Sequence, residues 1–391
     1  MEKWIYGGKG LGRLEGRAVL VPYVLPGETA RVRIAREKPG WIEADLVEVL
    51  APAPGRIPAP CPYFQRCGGC HYQHAAYETQ LEQKRRVLVE VLRRIGKMEP
   101  PESVEVIAGP DWEYRNRTQF HLDGRQIGYM EPASHRLCSV ERCAISSPKI
   151  NEALAALRGM LHHRRFPRFV RCIELFTNES QVQLNVLESR QPVARSFFEW
   201  CAERIPGAAA GSLDYPAAGG LFRVSHGSFF QTNRFLIDRL VECVVEGKAG
   251  RHAVDLYAGV GLFSLPLARC FEQVTAVEAA RNAFQDLEFN AARAAVAVRA
   301  VRSTSEAFLE RCTEPVDLIV ADPPRMGLGS SVVRGLLRVR PPLLVIVSCD
   351  PATLARDLRA LVAGGYRLTK LTFVDLFPQT FHIESVAELT A

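Results

Sequence analysis

No stretch of this 391-residue chain approaches the ~20 apolar residues that a membrane-crossing helix needs. A helical channel or transporter is therefore excluded. The N-terminus lacks an apolar signal core, since Glu2, Lys3 and Lys9 stand among glycines. A cytoplasmic location is expected. The cysteines lack an even count: there are eleven. In a large chain without a secretion signal, that argues against a disulfide framework and for reduced thiols in metal-binding or catalytic use. Internal repeats and low-complexity tracts are absent too. A large net charge is also missing, and the formal +6 does not by itself establish a nucleic-acid partner. Its distribution says more. Residues 81–171 hold 17 Lys/Arg against 11 Asp/Glu, so an excess of six sits in under a quarter of the chain. That is compatible with a phosphate-facing surface, and equally with a solvated, salt-bridged one.

What is present is ordinary for a soluble globular protein: 47% hydrophobic and 24% charged residues. The length suffices for two or three domains. Residues 1–52 read as a small β-barrel. Ala18–Pro22 and Thr29–Ile34 are strand-like, with Leu25-Pro26-Gly27-Glu28 as the turn between them and a further strand over Trp41–Leu50. A Pro-rich linker, residues 51–60, leads into a middle region, 53–225. That region opens with a cysteine knuckle and a helix from Tyr77 to Ile95, then mixes short strands and helices. From about Phe235 the pattern alternates: helix 235–246, strand Ala253–Tyr257, helix Gly261–Cys270, strand Gln273–Val277, helix Arg281–Ala295, strand Leu318–Asp322, strand Leu343–Ser348, helix Pro351–Ala363. Such alternation implies a parallel sheet with short crossovers, and residues 226–391 are taken as one α/β domain.

The chemistry-bearing residues fall at strand ends. Val254-Asp255-Leu256-Tyr257-Ala258-Gly259-Val260-Gly261 is a strand running into a Gly-rich turn, where backbone amides can approach a ligand. Alone it is a weak signal. The next strand ends in Glu278, about 20 residues on, placed to accept from ribose hydroxyls. Ala321-Asp322-Pro323-Pro324-Arg325 then ends the fourth strand. Dinucleotide folds rarely carry Asp-Pro-Pro there; it is similar to the loop of S-adenosylmethionine-dependent methyltransferases that holds the methyl acceptor beside the donor. Finally, Val345-Ile346-Val347-Ser348-Cys349-Asp350-Pro351 brings a cysteine to the carboxyl end of a strand. A lone cysteine is more often buried structure. The motifs around it favour a nucleophile.

A second cysteine signal is Cys61-x5-Cys67-Gly68-Gly69-Cys70. Three thiols on a tight turn can converge on one centre, with Cys143 as the fourth ligand and Cys138 as the alternative. The uneven spacing fits a [4Fe–4S] cluster better than paired CxxC zinc halves. His71 and His74 are expected to be packing or surface residues.

With these motifs assembled, the chain resembles the RNA uridine-C5 methyltransferase family, whose members make 5-methyluridine in ribosomal or transfer RNA. The resemblance covers nearly the whole chain. The first 50 residues resemble a TRAM domain, an RNA-binding barrel of OB-like form, through Gly10-Leu11-Gly12 and Leu25-Pro26-Gly27-Glu28. Cys61, Cys67, Cys70 and Cys143 match the family's cluster ligands. Ser228-Phe229-Phe230-Gln231-Thr232-Asn233 matches the motif opening its catalytic domain, whose glutamine contacts cofactor and base. Tyr257, Gly259, Glu278 and Asp322 fall in its cofactor site. Ser348-Cys349-Asp350-Pro351 matches the nucleophile motif, and Phe377-Pro378-Gln379-Thr380-x-His382-x-Glu384 the base motif. Asp350 stands where the family often has Asn, and Ala258 where it has Cys or Ser.

The resemblance implies an α/β fold: a Rossmann-like class I methyltransferase domain, an N-terminal barrel, and a mixed α+β central domain carrying the cluster. It implies S-adenosyl-L-methionine as cofactor and RNA as partner, with large-subunit ribosomal RNA favoured over transfer RNA. A monomer is expected. Cys349 would add to uracil C6, and Glu384 would remove the C5 proton after methylation. The site is then expected to favour the thiolate, through the helix that starts at Pro351, with Asp350 opposing unless it points away. Glu384, among Phe377, Phe381 and Ile383, is expected to have a raised pKa. Phe229, Phe230 and Tyr257 are candidate stacking aromatics, Tyr114-Arg115-Asn116-Arg117 is expected near RNA, and Arg325 near a phosphate. Two other readings stay open. An RNA cytosine-C5 methyltransferase would need a second Cys or an acid near Asp-Pro-Pro. A non-catalytic iron–sulfur RNA binder would not need Cys349, Glu384 and Gln231 together.

Overall fold

The computed structural model describes residues 1–209 and 211–391. Three sheets organise it. The first has five strands, Lys3–Ile5, Lys9–Leu14, Arg17–Pro22, Thr29–Lys38 and Trp41–Ala51, with the last inserted between the third and fourth. Alternation in Arg17–Pro22 turns Val19 and Val21 inward, onto Val24, Ile42 and Ala44. The Thr29–Lys38 strand is largely exposed. Its arginines pair across the ladder, Arg31 with Glu48 at 2.7 Å and Arg33 with Asp45 at 2.9 Å. Trp4 anchors this sheet to the rest: its indole stacks on Tyr72 at 3.8 Å and its N–H donates to the Val24 carbonyl at 2.6 Å.

The second sheet has six strands in the order Ala208–Ala209, Val182–Ser189, Val170–Thr177, Arg117–Asp123, Gln126–Met130, Leu137–Ser139. The helices Pro148–Met160 and Arg195–Arg204 share its apolar core. The first of them is capped by Ser147, whose hydroxyl accepts from the Ile150 amide, and carries Pro148 in its opening turn, where a missing N–H costs nothing.

The third sheet has eight strands: Val298–Arg302, Phe271–Glu278, Gly250–Leu256, Leu318–Ala321, Leu343–Ser348, Glu384–Thr390, Arg367–Val374 and Glu105–Ile107. The first five are parallel; Glu384–Thr390 runs antiparallel to both neighbours. Its central strands are apolar throughout because both faces are covered. The order reverses between Gly250–Leu256 and Leu318–Ala321, which is where open α/β sheets bind ligands. The helix Tyr77–Val91 and the strand Glu105–Ile107, both in the segment read as the middle region, pack on this sheet.

Two expected helices differ from the structure. The one expected over Gly261–Cys270 shrinks to Ser264–Leu267. Gly259 and Gly261 sit at φ +55° and +95°, outside helical backbone, so the turn extends further than apolar periodicity suggests. The one expected to reach Ile95 as an α-helix ends at Val91. A wider turn over Leu92–Gly96 follows and stops at left-handed Lys97, φ +54°.

Candidate active site

The carboxyl ends of the strands Gly250–Leu256, Phe271–Glu278, Leu318–Ala321 and Leu343–Ser348 open onto one cavity of about 1030 Å³. Gln231, Tyr257, Gly259, Glu278, Asp322, Cys349 and Glu384 all line it. So do the thiols of Cys61, Cys67, Cys70 and Cys143, on the wall formed by the knuckle. Residues from Cys61 to Glu384 thus face one space.

The Gly-rich turn is shaped for close approach. Gly261 holds φ +95°, where a side chain is strained, and a Cβ there would also crowd Leu265 and Leu287 at 2.8 Å. At Gly259 a Cβ would meet nothing within 4 Å, because that side of the turn faces the cavity. Gly259 N–H donates to Glu278 Oε2 at 2.8 Å, and Ala280 N–H to Oε1 at 2.6 Å, so the carboxylate at the second strand's end is held in place. Tyr257 holds φ +62°, an uncommon conformation for a residue with a side chain. Asp255 is fully buried, accepts from Ser264 Oγ at 2.5 Å, and burial raises its pKa to about 7.

Cys349 follows the last residue of its strand, and Glu384 opens the neighbouring antiparallel one. The ladder between the two strands ends at Ser348–Ser385, and Cys349 and Glu384 are the residues directly beyond that pair, both on the cavity wall. Burial raises the Glu384 pKa well above the ordinary carboxyl range, as expected; Asp322 adds to the rise and Arg325 opposes it. Asp322, half-buried on the cavity wall, is raised to about 7 by desolvation and accepts from Gln231 Nε2 at 3.3 Å.

The expectation of a favoured thiolate is not met in the free protein. Burial, then the Glu384 and Asp322 carboxylates, push Cys349 up to about 12. Desolvation and two nearby acids outweigh the helix start and Arg325. Asp350 adds a smaller rise, as expected of a neighbouring acid. Its Oδ1 accepts from the Ala352 and Thr353 amides, both at 2.9 Å, capping the helix Pro351–Ala363.

Other expected residues separate into groups. Phe229 is 60% exposed at the cavity, whereas Phe230 is core, packed against Tyr215 and Phe222. Arg115, Arg117 and Arg325 line the cavity, with Arg117 paired to Glu174 at 2.7 Å. Tyr114 is fully buried and donates to the Pro378 carbonyl at 3.0 Å. His71 and His74 pack against Phe381 and Phe64. His382 lines the cavity, and burial lowers its pKa to about 3, which keeps it neutral.

Cys70 and Cys143 join an apolar cluster with Phe64, Trp112, Tyr114 and Ile145, whereas Cys67 packs on the core of the second sheet. Burial raises the pKa values of Cys61, Cys67 and Cys70, Cys67 to about 12, and each feels Cys143 as a neighbouring charge. Gly69 N–H points at Cys67 Sγ at 3.4 Å, and Asn151 accepts the Cys143 amide at 2.8 Å. At Gly68 a Cβ would stand 2.8 Å from the Met130 carbonyl, which requires glycine in the turn. Cys138 does not line the cavity but lies in the core of the second sheet. Among the described residues no three His, Cys, Asp or Glu side chains converge closely enough for a single metal ion.

Several residues that support the site carry no motif. Buried Lys84, on the helix Tyr77–Val91, donates to Asp375 Oδ1 at 2.7 Å and to the Phe377 carbonyl at 2.9 Å. Asp286 accepts from the Ser225 amide and hydroxyl and from Ser228 Oγ, each at 2.7 Å, and so fixes the approach to Gln231. A polar residue on the buried stripe of a helix was the available signal for both.

Comparison with known proteins identifies the family. Residues 219–391 match the tRNA (uracil-5-)-methyltransferase family and residues 2–47 the TRAM domain. An uncharacterized RNA methyltransferase of Aquifex aeolicus is 33% identical, across 100% of this chain and 97% of its own. The 23S rRNA (uracil(1939)-C(5))-methyltransferase RlmD of Pseudomonas putida is 32% identical, across 97% and 90%. The chain belongs to the RNA uracil-C5 methyltransferase family. Among solved structures, the Pyrococcus abyssi tRNA (uracil-54, C5)-methyltransferase in complex with S-adenosyl-L-homocysteine superposes with a TM-score of 0.78, at 25% identity and over all of both chains. This RNA uracil-C5 methyltransferase thus pairs a TRAM domain with an S-adenosylmethionine-dependent catalytic fold. Among the described residues no helix is long and apolar enough to cross a membrane.

Proposed function

We propose that this enzyme forms 5-methyluridine in 23S ribosomal RNA by covalent addition of Cys349 to uracil C6. The observation that carries the mechanism is that Cys349, Glu384 and Asp322 line one cavity with the Gly-rich turn, close enough for both carboxylates to act on the thiol. C5 of uracil is a weak nucleophile toward a methylsulfonium. When Cys349, its thiol proton given up to solvent as the thiolate forms, bonds through Sγ to C6, the ring becomes an enolate and C5 becomes nucleophilic. The methyl group then passes from sulfur to C5. Glu384 takes the C5 proton, the Sγ–C6 bond breaks, and the thiolate is released. S-adenosylmethionine, when bound, supplies the electrophilic methyl group. Gln231, Tyr257, Gly259, Glu278 and Asp322 are assigned to hold it. The acidic wall suits its positive charge, which would also offset the carboxylates that hold Cys349 protonated in the free site. A carboxyl raised by burial is a stronger base once ionised.

The target base must leave its stack to reach Cys349, and exposed Phe229 is placed to receive it. Cys61, Cys67, Cys70 and Cys143 are assigned to a [4Fe–4S] cluster. The uneven Cys61-x5-Cys67-x2-Cys70 spacing, with Cys143 lining the same cavity, is what supports this assignment over paired zinc halves. The N–H directed at Cys67 Sγ is the kind of contact that tunes cluster potentials.

Two variants test the division of labour. Cys349→Ala should form no covalent adduct with RNA. Glu384→Gln should add and methylate, then stall, so that a methylated, denaturation-resistant protein–RNA complex accumulates. Normal turnover by Glu384→Gln would overturn its role as base. Full-length similarity to the Pseudomonas enzyme supports ribosomal RNA. The Pyrococcus structure supports transfer RNA as the second reading. Mapping 5-methyluridine in both RNAs, with and without the gene, decides; loss confined to transfer RNA rejects the ribosomal assignment.

A further inference from the structure

Tyr6 lies in the turn after the first strand of the N-terminal sheet, yet its hydroxyl donates to Asp350 Oδ2 at 3.0 Å. The other oxygen of that carboxylate caps the helix Pro351–Ala363. Asp350 is therefore held from two sides, by a phenol of the TRAM domain and by a helix N-terminus. Its direct neighbour in sequence is Cys349.

We propose that Tyr6 is a positioning residue for methyl transfer: by fixing Asp350 it holds the nucleophile loop in place and shields Cys349 from that carboxylate, so the TRAM domain completes the active site. The proposal rests on Cys349 being the nucleophile. A second contact of the same turn supports it. The Tyr6 ring meets Phe381 edge-on at 5.7 Å, three residues before Glu384. Gly8, at φ +87°, makes this approach possible: a Cβ there would stand 3.1 Å from His71 and 3.2 Å from Phe381. One turn thus touches both the nucleophile loop and the base loop.

The charges facing Cys349 come from four elements. Glu384 lies on the adjacent strand, Asp322 and Arg325 lie on the loop after the fourth strand, Asp350 begins the helix, and neutral His382 stands beyond Phe381. Tyr6 is the donor that the fifth element, the TRAM domain, adds. Burial and Asp350 raise its pKa above that of an ordinary phenol, so it remains a donor at working pH.

The test uses full-length enzyme and whichever transcript, ribosomal or transfer RNA, the wild type methylates, with 5-fluorouridine replacing uridine. Covalent adduct formation is measured from pH 6 to 9, alongside RNA binding and thermal stability. Tyr6→Phe should bind RNA within about twofold of wild type. Its adduct rate at pH 7 should fall about tenfold, with the profile displaced about one unit to alkaline pH, one unit being a tenfold change in thiolate. Adding Asp350→Asn should return the profile toward wild type, because an amide still caps the helix but carries no charge. If Tyr6→Phe folds poorly, Asp350→Asn alone should move the profile to acid pH. An unchanged profile in these variants, or weakened RNA binding with an unchanged profile, overturns the proposal. Adduct formation by Cys349→Ala would instead refute the nucleophile assignment, independently of Tyr6.

Discussion

Replacing Lys84 with methionine tests whether a buried ion pair anchors the loop that leads to Glu384. Lys84 is 1% exposed and Asp375 0% exposed. The ammonium makes two contacts, at 2.7 Å to Asp375 and 2.9 Å to the Phe377 carbonyl. Methionine keeps the stem and its packing but removes both donations. Asp375 is left as an uncompensated buried charge, and breaking such a pair from one side costs about 3–5 kcal/mol. For a unit the size of the catalytic domain, 1 kcal/mol shifts Tm by about 2–4 °C. A fall of order 10 °C is expected. The exposed pair Arg31–Glu48, with side chains 64% and 53% accessible, is the control. Arg31→Ala should cost no more than about 1 kcal/mol.

The double variant Lys84→Met/Asp375→Leu separates a buried charge from a lost shape. Replacing both partners with apolar groups is often neutral, so the pair should recover at least half of the Tm loss. Differential scanning calorimetry of the three proteins gives the answer. A loss below about 2 °C for Lys84→Met, or a double variant no better than the single, would show that the pair is not what holds this loop.

Further outcomes are expected. Gly259→Ala should weaken S-adenosylmethionine binding by calorimetry at least about tenfold, since φ is +55° there and its Cβ would project into the cavity, and unchanged affinity would reject Gly259 as a cofactor contact. Cys143→Ala should lose the brown colour and iron of anaerobically purified protein, and Cys138→Ala should keep both; stoichiometric zinc in a colourless protein rejects the cluster. Asp255 is raised to about 7, above its unfolded value, so its contribution favours the fold at low pH and is lost as pH rises through about 7. The Tm penalty of Asp255→Asn should therefore be larger at pH 5 than at pH 8, and an equal penalty at both would contradict the assigned burial.

What the sequence made legible was the chemistry at strand ends. Cys349, Glu278 and Asp322 each follow an apolar run, and apolar runs mark parallel strands whose carboxyl ends converge by topology alone. Their meeting in one cavity therefore follows from local pattern plus a fold rule. The supports were illegible because their partners are remote. Nothing near Lys84 announces Asp375, 291 residues on. Nothing near Tyr6 announces Asp350, 344 residues on. The thiolate expectation failed for the same reason. It weighed the helix start, which is local, and missed Glu384 and Asp322, which reach Cys349 only through the sheet. The backbone records the demand these contacts make. Gln379 holds φ +65° while its carbonyl accepts from the His71 and Tyr72 amides and its side chain bonds Gln80 and Asp111. Strain of that kind persists only where surrounding contacts over-determine it. Here two of those contacts, the His71 and Tyr72 amides, come from the segment that directly follows Cys70, and the other two come from the helix Tyr77–Val91 and from Asp111. The loop leading to Glu384 is thus held by residues some 270 to 310 positions away in sequence, which no local pattern could announce.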